Sequence, residues 1–386
     1  MIHTLTPLTE NQRAIQNMAR DFARSELAPH AARWDREERG DPAITARLGE
    51  LGFLGMMLPE SVGGLGLDTL SYLLALEEIA AADAATAVTM SVHNSLPTRM
   101  LLNFGSPAQQ QAYLPRMATG ELLGAFALSE PEAGSDASAL RTQAVRDGDF
   151  WVLNGTKAWV TNGNCADVII TMARTDTADA RRGSRGISAF IISPDLPGFR
   201  VGKKEQKMGL RASPTVQLAF DGMRVPADRL LGAEGEGFVY AMQSLEAGRL
   251  GIAAQAVGIA RAAVEATIAY TRERHQFGKP LTAFQAVEIK LADMATRLHG
   301  ARAMLHTTAA AKDRGEPAGA HAAMCKLMAS EAAMWITTQA IQLFGGYGYV
   351  TDYPVERLFR DAKITEIYEG TSEIQRIVIG RALASA

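Results

Sequence analysis

Residues 143–163 decide the class of fold: they read Gln-Ala-Val-Arg-Asp-Gly-Asp-Phe-Trp-Val-Leu-Asn-Gly-Thr-Lys-Ala-Trp-Val-Thr-Asn-Gly. The dipeptides Asp147-Gly148, Asn154-Gly155 and Asn162-Gly163 interrupt runs of apolar and β-branched residues. Asp-Gly and Asn-Gly are the dipeptides that tight hairpin turns prefer. The stretch therefore predicts short antiparallel strands that are joined by tight turns.

The same pattern extends over 123–235. Residues 215–220 alternate, with Val216, Leu218 and Phe220 on one face, as a half-buried strand requires, and Asp221-Gly222 gives a fourth turn signal. Several short strands between turn signals predict an antiparallel sandwich or β-barrel.

Residues 1–122 are mostly helical in pattern. Thr9 is a candidate N-cap for a helix whose apolar residues recur at helical spacing, and the run 70–90 is rich in Ala, Leu and Glu. Pro107 and Pro115 bracket another short helix.

Residues 236–386 are helical again, in longer pieces. We predict helices at about 236–273, 282–313, 319–344 and 355–362, and a last one from about 372. The three blocks give the domain boundaries 1–122, 123–235 and 236–386. An α, β, α order with antiparallel strands excludes the βαβ alternation of a parallel nucleotide-binding sheet.

Composition narrows the function classes. The 386 residues are 47% hydrophobic and 21% charged, and 39 basic against 42 acidic residues give a net charge of −3. This argues against disorder and against general electrostatic binding to nucleic acid or an anionic membrane. No apolar stretch approaches the roughly 20 residues of a membrane span, and the N-terminus lacks a signal-peptide pattern.

The metal-binding and thiol residues are sparse. Cys165 and Cys325 form neither a disulfide framework nor a metal-ligand spacing, which favours a cytoplasmic location. His299 and His306 could share a helix face, but no third ligand accompanies them, so we expect no metal site. The dinucleotide-binding glycine motif, the P-loop, the zinc-protease motif and the hydrolase nucleophile elbow are all absent.

Two segments of the middle block offer ligand-binding chemistry. Residues 126–136 place Ser129, Ser135 and a glycine loop beside a strand end, where hydroxyls and backbone N–H groups can hold a polar ring edge or a phosphate. Trp159-Val-Thr161 sets an aromatic wall beside a hydroxyl on one strand face. A capped turn and a core tryptophan are the plainer interpretations.

Two segments of the last block carry similar alternatives. Residues 272–280 end a helix with clustered positive charge, which suits either the helix dipole or a pyrophosphate. Gly345 and Gly346 follow a helix, where they cap it or let a ligand approach the backbone.

A fifth segment, 367–375, contains a carboxylate at a helix start. Ser372 and Gln375 have capping-box spacing, and Glu369 lies just outside the helix. Glu369 is either a surface acid that interacts with the helix dipole or a desolvated general base.

Together the five segments resemble the acyl-CoA dehydrogenase family. The resemblance rests on Ala127-Leu-Ser-Glu-Pro131, Gly134-Ser-Asp136, Trp159-Val-Thr-Asn162, Arg274-His-Gln-Phe-Gly278, Gln342-Leu-Phe-Gly-Gly346 and Ile367-Tyr-Glu-Gly-Thr-Ser-Glu-Ile-Gln-Arg376, in order and in register over about 9–379. It implies an N-terminal helical domain, a central β-barrel and a C-terminal four-helix bundle. It also implies a homotetramer that binds FAD, oxidises an acyl-CoA to the 2,3-enoyl form and passes electrons to an electron-transferring flavoprotein.

The resemblance also assigns the site residues. FAD would contact Phe126, Leu128, Ser129, Gly134, Ser135, Trp159, Val160, Thr161, Gln342, Leu343, Phe344, Gly345, Gly346, Thr371, Ser372 and Glu373, together with Phe277 and with Arg274 and Gln285 of a neighbouring subunit. The acyl-CoA would contact Ser135, Glu246, Arg249, Tyr368 and Gly370.

Glu369 matches the family's catalytic base, which takes the α-proton while a hydride leaves Cβ for flavin N5. Isovaleryl-type members place the base on the first helix of the bundle instead. The corresponding position here is Gly248, which cannot act as a base, and Glu246 points elsewhere on the helix. This favours Glu369.

The C-terminal half is most similar to the short-chain, butyryl-type branch. Members that take glutaryl-CoA use an arginine near the helix corresponding to 84–96, a stretch that holds no Lys or Arg here. A branched short acyl group stays open as a substrate. An oxidase or monooxygenase on the same scaffold and a non-catalytic nucleic-acid-binding relative are the alternatives from other classes.

Overall fold

The computed structural model describes residues 5–175 and 180–385, without the side chains of 180–182. It consists of a helical N-terminal part, a β-sheet and a second helical part, in the predicted order. The transitions fall between Ala118 and Gly124 and between Leu231 and Gly237. We retain 1–122, 123–235 and 236–386 as the proposed domain boundaries.

Within its described residues, the N-terminal part contains seven α-helices. They are α1 Glu10–Phe22, α2 Ala31–Glu37, α3 Pro42–Glu50, α4 Thr69–Ala82, α5 Ala84–Ser95, α6 Pro97–Phe104 and α7 Pro107–Ala118. Thr9 caps α1 as predicted, with Gln12 completing a capping box.

One detail of this region refines the sequence prediction, and a second differs from it. The run 70–90 is two helices, because Asp83 leaves the helical conformation and its side chain caps the N-terminus of α5. Pro115 lies inside α7 and does not end it. The helix continues to Ala118, where Leu114, Met117 and Ala118 are buried and hold the last turn by packing.

In the described ranges 5–175 and 180–385, eight strands form one sheet in the order β6-β7-β3-β2-β4-β5-β8, with β1 paired to β4. Their bounds are β1 Gly124–Ala127, β2 Gln143–Asp147, β3 Phe150–Thr161, β4 Val168–Arg174, β5 Ile187–Ile192, β6 Phe199–Lys204, β7 Thr215–Pro226 and β8 Leu230–Leu231. The pairs β1–β4 and β2–β4 are parallel, and the other pairs in this sheet are antiparallel.

Two of the four turn dipeptides are turns, and two are bulges. Gly148 turns between β2 and β3, and Asn162-Gly163 ends β3. Asn154-Gly155 and Asp221-Gly222 instead face each other within the β3–β7 pair, where the register shifts. The Asn154 side chain accepts a hydrogen bond from the Gly222 N–H at 2.8 Å and so satisfies a donor that the bulge leaves unpaired.

Both faces of the central strands are buried. Ile169 and Ala173 of β4 pack with Leu153, Leu218 and other residues of β3 and β7, whereas Ile170 and Met172 pack beneath the N-terminal helices. Residues of β4 and β5 are therefore buried almost without interruption and do not alternate between buried and exposed.

Five α-helices and a small hairpin follow the sheet in the described residues up to 385. They are α8 Gly237–Glu273, β9 His275–Gln276, β10 Lys279–Pro280, α9 Gln285–Asp313, α10 Gly319–Phe344, α11 Val355–Ile364 and α12 Ser372–Ala384. The five predicted helices are observed, with starts displaced by at most three residues.

Helix α8 is the central helix of the fold. By length and composition it could cross a membrane, so the expectation that no segment approaches a membrane span was wrong for this helix. However, 72% of its most apolar window is buried against other elements. This is what a core helix shows, because its neighbours and not lipid cover the apolar surface.

Buried ion pairs join the N-terminal part to the bundle. Glu77 of α4 is fully buried and lies 3.0 Å from Arg302 and 2.7 Å from His306, both on α9. Burial by itself would raise the pKa of Glu77, but Arg302 and His306 lower it to about 2. The carboxylate is therefore charged at neutral pH and depends on its partners on α9.

We expect the Arg302→Met variant to lose about 3–5 kcal/mol of unfolding free energy, because it leaves the Glu77 charge buried with less compensation. Arg47→Met is the control, since it breaks only solvent-exposed pairs, with Glu50 and Glu26, and should change stability far less. Urea unfolding followed by circular dichroism measures both. Equal losses of unfolding free energy in the two variants would contradict the conclusion that the Glu77 charge depends on its partners on α9.

Candidate active site

Glu369 lies in the short connection between α11 and α12. Its φ is +53° and that of Gly370 is +92°, so two consecutive residues have left-handed backbone conformations. This is uncommon for a residue with a side chain and stores strain that the surrounding contacts must hold. The strained connection directs the Glu369 side chain towards α8.

The carboxylate of Glu369 lies directly against Gly248 of α8. A Cβ atom at position 248 would come within 1.9 Å of the Glu369 Oε2 atom. Position 248 therefore provides the space that the carboxylate fills, and no side chain fits there while Glu369 keeps this position. The Glu246 carboxylate lies elsewhere, against Gly319 at the start of α10.

The environment of Glu369 favours the protonated form more than water does. Burial raises its pKa to about 7, against the charges of Lys326 and Arg249, which lower it. Its Oε2 atom is inaccessible and has no hydrogen-bond partner among the described residues. Such a carboxylate exchanges a proton near neutral pH and has an oxygen free to take one.

Tyr368, the residue before Glu369, anchors the connection between α11 and α12. Its hydroxyl donates to the Gln255 side chain of α8, and Gln255 donates to the Ala84 carbonyl at 2.7 Å. Burial raises the pKa of Tyr368, and Glu369 adds to the rise. The phenol is therefore a neutral donor that ties the connection to both α8 and α5.

The glycine loop after β1 is held by a buried ion pair. Lys157 of β3 is inaccessible and donates to the Leu128 carbonyl at 3.0 Å and to Glu130 at 2.8 Å. Glu130 also accepts from the N–H groups of Arg141 and Thr142. Both ends of the loop are thus fixed on one carboxylate, while Gly134 and Ser135 between them stay exposed.

Trp159 lies on a bulge of β3 with φ of +61°, and the side chain is 62% exposed. The bulge interrupts the simple alternation that the sequence predicts for Trp159 and Thr161. Val160 is buried in the sheet core, so its side chain is not available to a ligand, whereas Thr161 is half-buried.

A second group of predicted residues lines a cavity of about 870 Å³. Arg274 enters it beside Tyr347, with the guanidinium carbon 5.3 Å from the ring centroid. Tyr270 and Phe344 stack at 4.0 Å in its wall. The predicted residues that line it are Arg274, Gln342, Leu343, Phe344, Gly345 and Gly346.

The remaining predicted residues lie outside this cavity. Phe277 is 93% exposed and Gln285 is also exposed. Thr371 and not Ser372 caps α12, with the Thr371 hydroxyl accepting from the Ile374 N–H. Ser372 is buried, its hydroxyl has no partner in the part of the chain that the structure describes, and Glu373 lies in the first turn. Within one chain, the predicted cofactor residues therefore fall into two groups, those that line the cavity and those that lie outside it.

Sequence profiles for the three domains of one family match this chain. The N-terminal domain profile of acyl-CoA dehydrogenases matches 9–121, the middle domain profile 125–223 and the C-terminal domain profile 235–384. The chain belongs to the acyl-CoA dehydrogenase family. The resemblance read from the five motifs is thereby confirmed, together with the fold class.

Individual relatives are similar over nearly their whole length. The mitochondrial short-chain specific acyl-CoA dehydrogenase of Mus musculus is 50% identical over 98% of this chain and 92% of its own length. Butyryl-CoA dehydrogenase from Megasphaera elsdenii is 45% identical, with a TM-score of 0.95 over 98% of this chain and 99% of its own.

A third relative is a chain from the structural study of the electron transferring flavoprotein of Acidaminococcus fermentans. It is 48% identical, with a TM-score of 0.96 over 98% of this chain and 99% of its own.

Two buried lysines of this acyl-CoA dehydrogenase were not identified by the sequence motifs. Lys157 lies in β3 between Thr156 and Ala158, Lys326 lies in an alanine-rich helix, and both side chains are inaccessible. For Lys326, a lone lysine in a segment that is otherwise patterned as core is the signal that could have identified it, because lysine is almost never fully buried without a partner.

We expect Gly248→Ala to reduce acyl-CoA oxidation by about 100-fold or more, since the added methyl group displaces the Glu369 carboxylate and displacements near 1 Å have effects of this size. Gly300→Ala is the control, because a Cβ there meets only the flexible end of Met328, at 3.1 Å. Steady-state turnover measures both variants. Full activity in Gly248→Ala would show that the carboxylate does not act from this position.

Proposed function

We propose that this protein is a short-chain acyl-CoA dehydrogenase, which oxidises a butyryl-type acyl-CoA to the trans-2-enoyl-CoA with FAD and Glu369 as the base. The observation that carries the proposal is the Glu369 carboxylate, which is buried and held against Gly248, with no hydrogen-bond partner for Oε2 among the described residues. The similarity to short-chain and butyryl-CoA dehydrogenases supports the substrate class.

The residues present fit FAD. The cavity around Arg274 combines one guanidinium, the amide of Gln342, paired glycines and aromatic walls, which suit a pyrophosphate and a purine ring. An exposed Trp159 ring and the open Gly134 suit an isoalloxazine. FAD bound there would supply the acceptor for the hydride that leaves Cβ of the substrate.

Glu369 performs the proton transfer. The α-proton of a thioester is weakly acidic, so the base must be close, aligned and poorly solvated. The Glu369 side chain takes this proton on the free Oε2 atom. Its own backbone N–H donates no hydrogen bond among the described residues, so it is available to the thioester oxygen, where negative charge develops.

The acyl-CoA approaches along α8. Arg249 follows Gly248 directly, is half-buried and has an Nε atom with no partner among the described residues. We assign it, with Glu246 and Ser135, to the CoA portion of the substrate. Tyr368 and Gly370 flank the base and line the acyl end.

A second subunit completes the FAD site in this proposal. The division of the predicted cofactor residues into two groups and the exposure of Phe277 and Gln285 support a site shared between subunits of a homotetramer. The electron transferring flavoprotein is the proposed acceptor, because a chain studied with such a protein is 48% identical. A cytoplasmic location stays a prediction.

An anaerobic titration with butyryl-CoA tests the function. The purified protein should be yellow, and butyryl-CoA should bleach the flavin absorbance without oxygen. Branched C4 and C5 thioesters and the C8 thioester, added in parallel, separate the short-chain from the branched-chain alternative. Re-oxidation by air faster than by an electron-transferring flavoprotein would favour an oxidase, and a colourless protein that takes up no FAD would contradict the proposal.

We expect the Glu369→Gln variant to bind FAD normally and to lose turnover. The amide keeps the size of the side chain but cannot take the α-proton. The flavin spectrum reports cofactor binding, and stopped-flow flavin reduction reports the chemical step. In the parent protein the rate should rise with pH through about 7, where Glu369 ionises. Near-normal turnover in the variant would rule out Glu369 as the base.

A further inference from the structure

Lys326 is a buried cation that the mechanism above does not use. It lies on α10, its side chain is fully inaccessible, and its Nζ atom donates to the Gly370 carbonyl at 2.7 Å. Within the described residues it makes no ion pair shorter than 4.0 Å. A charge in this position is expensive to bury, so its presence beside the base calls for an explanation.

The Gly370 carbonyl is held from two sides. Lys326 donates to it from α10, and the Gln375 amide donates to it from α12 at 2.8 Å. Gln375 also donates to the Glu369 carbonyl at 3.1 Å. These contacts fix the left-handed pair that directs the carboxylate at α8. The Gln375 amide is neutral and the Lys326 ammonium is charged. Mutating each in turn therefore separates the geometric effect on Glu369 from the electrostatic effect.

Charged and titratable groups face this centre from several elements. Arg249 of α8 is the other cation beside Glu369, and Tyr72 of α4 faces it as a neutral phenol. Lys326 also faces Glu366 and Glu373, and Arg249 also faces Glu246. Burial lowers the pKa of Lys326 to about 8, against the neighbouring Glu369, so the ammonium form predominates at pH 7.

We propose that Lys326 is a positioning residue for the base: its ammonium fixes the Gly370 carbonyl and stabilises the ionised, proton-accepting form of the neighbouring Glu369 carboxylate. Desolvation opposes that form, and two cations offset the desolvation in part. Arg249 is half-buried and is assigned above to the CoA portion of the substrate, whereas Lys326 is fully covered by protein. The inference rests on the proposed role of Glu369.

Lys326→Met tests the electrostatic part in the FAD-loaded protein. Loss of the charge should raise the ionisation midpoint of Glu369 by about 1 pH unit. Infrared titration without substrate, as the difference from the same variant carrying Glu369→Gln, reads this midpoint directly. Flavin reduction by butyryl-CoA should then fall about tenfold at pH values below the parent midpoint and recover at high pH.

Three further variants make the test specific. Lys326→Arg keeps the charge and should restore the parent midpoint. Gln375→Met removes only the neutral donor, so it should lower the rate at every pH without moving the midpoint. Lys203→Met removes an exposed lysine of β6 and should change neither the rate nor the midpoint.

Lys326→Gln replaces Lys326→Met if the methionine variant does not fold, because it keeps a donor for the Gly370 carbonyl. An unchanged Glu369 midpoint in a folded, uncharged variant would overturn the proposal. So would a Gln375→Met midpoint that moves as far as that of Lys326→Met. If Glu369→Gln itself retained turnover, the proposed function would fail, while the infrared midpoint would still report whether Lys326 controls the carboxylate.

Discussion

The contact between the Glu369 carboxylate and the bare backbone of Gly248 is the constraint on which the site depends. The carboxylate reaches α8 only because position 248 has no Cβ and because Glu369 and Gly370 hold left-handed backbone conformations. The same contact removes water from Oε2 and thereby raises the pKa of Glu369. Position, strain and acidity of the base therefore have one structural origin.

Local signals in the sequence predicted the elements better than they predicted the contacts. The helix starts, the Thr9 cap and the strand-rich middle region follow from spacing and capping rules that act within a few residues. Asn154-Gly155 and Asp221-Gly222 have sequences typical of turns but lie in a bulge, because the two dipeptides face each other across the β3–β7 pair. The residues next to either dipeptide in sequence do not indicate this long-range pairing.

The same limit applies to the site. Gly248 was interpreted from the sequence as a position without a base, and the structure adds that it is the space for one. Lys157 and Lys326 act on residues 27 and 44 positions away along the chain, so no motif of contiguous residues contains them. Their functions follow from which carbonyl and carboxylate they meet, and that depends on how β3 packs on the loop and α10 on α12.

Helix α8 shows how stability and function share one element. Besides Gly248, its Gly251 and Gly258 lie where a Cβ would come within 2.6 Å of Ser91 and of the Glu77 carbonyl. A glycine within a helix has a penalty of about 1 kcal/mol relative to alanine. At 251 and 258 the close packing of α5 and α4 offsets that penalty. At 248 the neighbour is instead the buried carboxylate of Glu369, and the desolvation of this carboxylate adds to the cost of the glycine. The surrounding core must therefore stabilise a helix that the active site weakens.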